Sequence, residues 1–154
     1  MRFRAASAFV AAGILAGGAL AEQKENELQA GSYEVRARLE LPNVQSWSAT
    51  TTTATICMPY AAGGTNGAPF PVLSGNNPLA RCPARNVQRD GATLRFDIVC
   101  DGRNAARARA VYTLKPGEFE GRIAMVMGGK NMTMTEVQSG RRVGSCDPAG
   151  GPQN

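Results

Sequence analysis

The chain has 154 residues, 17 Lys+Arg against 12 Asp+Glu, four cysteines and no histidine. That length holds one domain rather than two. The lack of histidine excludes the Ser-His-Asp triad, the HExxH zinc site and any histidine proton shuttle.

The first segment has the form of a leader. Arg2 and Arg4 open it, residues 5–20 are small and apolar, and Ala19-Leu20-Ala21 ends it with an A-x-A signal. This predicts a secretory signal peptide at 1–21, a β domain at 22–146 and a flexible tail at 147–154. A membrane anchor needs about 20 strongly apolar residues, so none is expected. Cleavage behind Ala21 leaves 133 residues and lowers the net charge from +5 to +3. Residues 22–80 then carry −2 and residues 81–154 carry +5. The basic half reads as a solvated face, or else as a meeting point for an anionic surface. Nucleic acid is not an expected partner for an exported chain with 6% aromatic residues.

Strand periodicity dominates the remainder. Tyr33 to Leu41 alternates apolar and charged residues, the pattern of a half-buried strand. Ser48 to Met58 is a threonine-rich run with strand propensity. The stretch 59–78 is rich in Gly, Pro and Asn and reads as one long loop, either a lid or a disulfide-tethered surface loop. Asp90-Gly91 signals a hairpin. The strand after it places Leu94, Phe96, Ile98 and Cys100 on one face. Turns at Asp101-Gly102-Arg103, Pro116-Gly117 and Gly128-Gly129-Lys130 divide the rest into strands.

These turns fix expected registers. Leu114 opposite Phe119 places Tyr112 opposite Gly121, and Ala110, Ala108 and Ala106 opposite Ile123, Met125 and Met127. The preceding hairpin is expected to set Leu94, Phe96 and Ile98 opposite the same three alanines. The alanine row either lets large neighbours pack over it or leaves room for a ligand. No stretch of the exported chain has a sustained helical period. The expected fold is all-β: a single antiparallel meander of about seven strands, forming a strongly curved sheet or an incomplete up-and-down barrel.

Cys57, Cys82, Cys100 and Cys146 lack any C-x-x-C spacing, so an even count outside the cytoplasm suggests two disulfides. Three pairings exist. Cys57–Cys82 with Cys100–Cys146 is the favoured one, because it closes the long loop and ties the last segment to a central strand. Each bridge would stabilise by roughly 2–4 kcal/mol.

The Gly129-Lys130 turn pairs Met127 with Met132 and Met125 with Met134, so four thioethers share one face. Core packing is the favoured reading, and Cu(I) binding is the alternative. Glu136 continues that face opposite Ile123. It is either exposed by a bulge or by fraying, with the bulge favoured, or lines a polar pocket with Arg85 as partner. Trp47 reads as a plug over one end of the sheet. Arg103, Arg107, Arg109, Arg141 and Arg142 suggest a basic outer stripe, and Asn131-Met132-Thr133 matches a glycosylation sequon. No P-loop, dinucleotide fingerprint or G-x-S-x-G elbow is present, so catalysis and a cofactor are not expected.

The chain resembles domain of unknown function family 3617, small exported proteins of Gram-negative bacteria. The likeness rests on Gly31-Ser32-Tyr33-Glu34-Val35, on Thr55-Ile56-Cys57-Met58-Pro59, and on Cys82 and Cys100 bracketing a glycine turn. It continues through Gly117 to Met127, Met132 to Thr135 and Gly140 to Cys146. Tyr33 stands where the family usually has tryptophan, and the 59–78 loop is extended. The resemblance implies a periplasmic, disulfide-bonded domain and supplies no reaction.

Three functions follow as expectations. The first is a periplasmic, non-catalytic binding or accessory module. Its small apolar or lipid-like ligand would lie against Ala106, Ala108, Ala110, Tyr112, Met125, Met127, Met132, Met134 and Glu136. The second is a structural or interaction protein that meets a partner protein through its basic outer face or long loop. The third is Cu(I) binding by the four methionines.

Overall fold

Alternating burial decides which face of each strand becomes core. In a computed structural model that describes residues 27–42, 51–58, 67–103, 105–128 and 132–146, seven strands form one sheet. They are β1 (Gly31–Glu40), β2 (Thr51–Met58), β3 (Ala84–Asp90), β4 (Thr93–Val99), β5 (Arg107–Lys115), β6 (Glu118–Met127) and β7 (Met132–Gly144). The leader, Trp47, residues 59–66 of the long loop, the Gly129-Lys130 turn, Asn131 and the tail lie outside the described residues.

The sheet order is β2-β1-β7-β6-β5-β4-β3, with every neighbour antiparallel. First and last strands therefore pair, as in an up-and-down barrel. The ring stays open between β2 and β3, which are the two edges. Strand β5 shows the physics plainly. Ala108, Ala110, Tyr112 and Leu114 are buried, while Arg107, Arg109, Val111, Thr113 and Lys115 are exposed. Strands β1 and β4–β7 bury one common face, β2 joins it chiefly through Met58, and the edge strand β3 is exposed beyond Ala84.

The expected β5–β6 and β6–β7 registers hold. Leu114 faces Phe119, Tyr112 faces Gly121 and Ala108 faces Met125. Met127 faces Met132, Met125 faces Met134 and Ile123 faces Glu136. Two ring–glycine contacts lock this register. A Cβ on Gly121 would sit inside the Tyr112 ring, and one on Gly140 inside the Phe119 ring. Only glycine lets these aromatics lie flat on the neighbouring backbone.

Two registers differ from expectation. Leu94 pairs with Tyr112, Phe96 with Ala110 and Ile98 with Ala108, a slip of two residues. The cause is a longer turn, closed by the Cys100 N–H donating to the Ala106 carbonyl. A two-residue slip keeps every side chain on its face, so the large–small–large pattern across Ala108 and Ala110 survives. The β3–β4 hairpin differs more. Asp90 pairs with Thr93, so the turn residues are Gly91 and Ala92. A bulge at Asn86-Val87 follows, with Asn86 at φ 54°. Arg85 consequently faces Asp97 and is exposed, rather than lying inside opposite Phe96.

The cysteines pair as Cys57–Cys146 and Cys82–Cys100, not as Cys57–Cys82 and Cys100–Cys146. The topology explains the correction. Strand β1 lies between β2 and β7, and Ser32 is opposite both Cys57 and Gly144. Cys57 and Cys146 thus meet at one end of β1, with Cα atoms 5.8 Å apart. On the far edge, Ala84 pairs with Ile98 and the Val99 N–H donates to the Pro83 carbonyl. Continuing that ladder puts Cys82 opposite Cys100, at 4.8 Å. The bridges fit an oxidising, extracellular-type compartment. No helix among the described residues is long and apolar enough to cross a membrane.

Candidate functional site

The buried sheet face is closed by the chain's own connection from β2 to β3. Residues 67–82 form no strand, and a single 3₁₀ turn at Pro78–Arg81 is their regular structure. Phe70, Val72 and Leu79 from this segment join the core. Phe70 stacks on Tyr112 at 4.0 Å and 11°, and meets Phe119 edge-on at 4.7 Å. Tyr112 in turn lies parallel to Phe96 at 6.0 Å. Burying Phe70 contributes about 2–3 kcal/mol by area, before the ring contacts are counted. The described half of the loop is therefore a fitted cover and not a surface loop.

Polar groups of the inner face hold the cover in place. Glu136 is fully buried. One carboxylate oxygen accepts the Leu73 N–H and the other accepts the Ser74 N–H, each at 2.8 Å. The Gln138 amide donates to Glu136 and, at 2.8 Å, to the Pro71 carbonyl. The Tyr112 hydroxyl donates to Gln138 Oε1 at 2.9 Å. Burial, with the Glu136 charge adding to it, holds the Tyr112 phenol well above its ordinary pKa. Glu136 is thus not exposed by a bulge, because the β6–β7 ladder runs unbroken through Ile123 and Glu136. Its donors are backbone amides of the cover, not Arg85. A small cavity of about 120 Å³ adjoins it, lined by Ala37, Leu39, Thr52, Ser74 and Gly75 among others.

The nine residues expected at an inner-face site divide in two. Ala106, Ala108, Ala110, Tyr112, Met125 and Glu136 are buried. Met127 and Met134 are half-buried, and Met132 is 50% exposed at the hairpin end. Met125 Sδ already accepts the Asn77 amide at 3.1 Å, and Asn77 also donates to Ser74 Oγ. One of the four thioethers is therefore engaged in fastening the cover.

The opposite sheet face has no covering segment among the described residues, and charge is ordered on it. Glu34, Arg141, Glu118 and Lys115 stand side by side on β1, β7, β6 and β5, alternating in sign. The next row holds Arg36, Ser139, Glu120 and Thr113. These two rows line a groove of about 460 Å³. Arg36 pairs with Glu34 at 3.3 Å, and Lys115 with Glu118 at 2.8 Å. That second bond raises the Lys115 pKa. Arg141 and Glu120 have no salt-bridge partner among the described residues. The arginines expected to form one basic stripe are instead dispersed. Arg107 and Lys115 lie at opposite ends of β5, so Arg107 and Arg141 are in different rows. Arg109 pairs with Asp97, whose pKa is lowered by Asn86 and then by Arg109. The Arg142 guanidinium donates to the Ala30 carbonyl at 3.0 Å.

Three participants escaped the sequence pattern: Phe70, Leu79 and Gln138. The run Phe70-Pro71-Val72-Leu73 inside a Gly/Asn-rich loop is the signal that was present for the first. Gln138 carried one too, since it lies two residues from Glu136 on the same face.

A family model described as "Protein of unknown function (DUF3617)" matches residues 28–146. No curated protein and no solved structure matches the chain.

Proposed function

The chain belongs to the DUF3617 family, whose description states no activity, and from the geometry we propose a non-catalytic accessory module of the periplasm that engages a partner protein through its charged sheet face. One observation carries this reading. The apolar face is filled by the protein's own segment 67–82, whereas the polar face is left with a 460 Å³ groove of alternating charge. A groove with Glu34, Glu118 and Glu120 beside Arg36, Lys115 and Arg141 matches a partner segment carrying both signs. Export through a leader cleaved behind Ala21 brings the module to the compartment that its disulfides require.

The test places a photo-crosslinking side chain at Ser139, on the groove floor, with Val87 on the edge strand as control. The proposal expects a discrete protein adduct from Ser139 alone, lost when Arg141→Glu reverses the local charge. Equal adducts from both sites, or none from Ser139, would refute it.

An apolar ligand beneath the cover is a second reading, favoured by the cavity beside Glu136. Segment 67–82 makes no ladder with the sheet, so a ligand could displace it without breaking strand pairing. Native mass spectrometry after incubation with lipid extract distinguishes the two. A retained small molecule supports the second reading, and a bare mass counts against it. Cu(I) binding fits less well, because the Met125 sulfur is occupied by Asn77.

A further inference from the structure

Independently of the groove, we propose that β2 is a strand-addition edge and that its occupant is β2 of a second copy of this chain. The sheet ends in two strands, and only one carries protection. Strand β3 has the Asn86-Val87 bulge, together with Arg85, Arg89 and Asp90. Bulges and charges are the usual devices that keep an edge from pairing. Strand β2 has neither. Its register with β1 runs unbroken from Gly31 opposite Met58 to Arg38 opposite Thr51. It contains no charged residue and no proline, and Thr51, Thr52, Thr53 and Thr55 are exposed. Threonines favour the extended chain, and the outer edge of β2 has no strand partner among the described residues.

Self-complementarity selects the occupant. Antiparallel pairing of β2 with itself is a two-fold contact. Centred on Thr53, it sets Thr53 opposite Thr53 and Thr51 opposite Thr55. Centred on Ala54, it sets Thr53 opposite Thr55. In both registers the polar face becomes a threonine ladder with no like charges opposed, and Thr–Thr pairs are favourable across strands. A charged strand from another protein would find no countercharge on β2. Strand β3 of a second copy is bent away by its bulge. An edge contact of this length is small beside a standard interface, so the dimer is weak and concentration-dependent.

Sedimentation of the purified, disulfide-bonded protein tests this between about 10 µM and about 1 mM. The wild-type mass should rise from one chain towards two. Two double variants follow, T53K/T55K and T53E/T55E. Arg36 faces Thr53 and Glu34 faces Thr55 on β1, so each variant gains one favourable and one unfavourable neighbour within its own sheet. Either alone should weaken association about tenfold or more, and a one-to-one mixture should restore it. A single-chain mass throughout the wild-type series overturns the proposal. So does a lysine variant that dimerises like wild type, or a mixture no better than its components. If the variants do not fold, amide exchange on the wild type decides: protection across Thr51 to Thr55 must grow with concentration, and constant protection overturns the assignment.

Discussion

Replacing Glu136 by glutamine tests whether the cover is held by a carboxylate clamp. Glu136 presents two acceptor oxygens to three donors, namely the Leu73 and Ser74 amides and Gln138. Glutamine preserves the shape but offers one oxygen and one NH₂ group. The oxygen can serve Leu73 and Gln138 as before. The NH₂ group then confronts the Ser74 N–H, donor against donor. One charge-assisted bond is lost, worth about 1.5–3 kcal/mol, and a buried amide is stranded at a further cost of about 1–3 kcal/mol. Partial access of water through the adjoining cavity reduces the second figure. The expected destabilisation is therefore about 2–4 kcal/mol. Urea unfolding reads it directly: with a slope of about 2 kcal/mol per M, the midpoint should fall by roughly 1–2 M. The Leu73 and Ser74 amides should exchange faster than those of β5 and β6, because the cover opens before the sheet. A midpoint within about 0.2 M of wild type, with those amides equally protected, would refute the clamp.

Gly121→Ala drives a methyl into the Tyr112 ring, and should destabilise by about 1–3 kcal/mol or more. Chemical denaturation checks this, and Gly117→Ala, which meets open space, is the control. A non-reducing peptide map should recover Cys57 joined to Cys146 and Cys82 joined to Cys100; peptides joining Cys57 to Cys82 would contradict the topology. Tyr112 has a folded pKa raised well above 10.0 by burial, so its contribution is complete below the unfolded value and is lost as pH rises above it. The Tyr112 phenolate, resolved from Tyr33 and Tyr60 by substituting those two with phenylalanine, should accordingly appear only in step with unfolding on the alkaline side. A Tyr112 phenolate that titrates in the folded protein near pH 10.0 would contradict that burial.

Most of the sheet was legible because its strands alternate so strictly. The Pro116-Gly117 turn leaves one register that puts Tyr112 over Gly121. The β6–β7 pairing of four methionines follows from a turn whose residues are equally explicit. Errors arose where turn length was undetermined. Five residues at 101–105, instead of three, moved β4 against β5. At the next hairpin the two-residue turn sits one residue later, at Gly91-Ala92, which keeps every face, and the bulge at Asn86-Val87 then turns Arg85 outward. Disulfide partners depend on which strands become neighbours, and nothing local to Cys57 reveals that β1 separates β2 from β7. The candidate site was less legible still. Glu136 was visible as an anomaly on an apolar face, but its partners are backbone amides more than sixty residues away, which no side-chain pattern encodes. The groove depends on juxtaposing Glu34 of β1 with Arg141 and Glu118 across three strands. It became apparent only when the strand order was known.

The central claim is that binding uses the charged face. Covalent labelling of carboxylates measures this most directly, in intact cell envelopes and in the purified protein. Glu118 and Glu120 line the groove, whereas Asp90 and Asp101 are exposed and away from it. The account predicts that Glu118 and Glu120 are protected in the envelope while Asp90 and Asp101 react equally in both samples. Equal labelling of all four in both settings would contradict it.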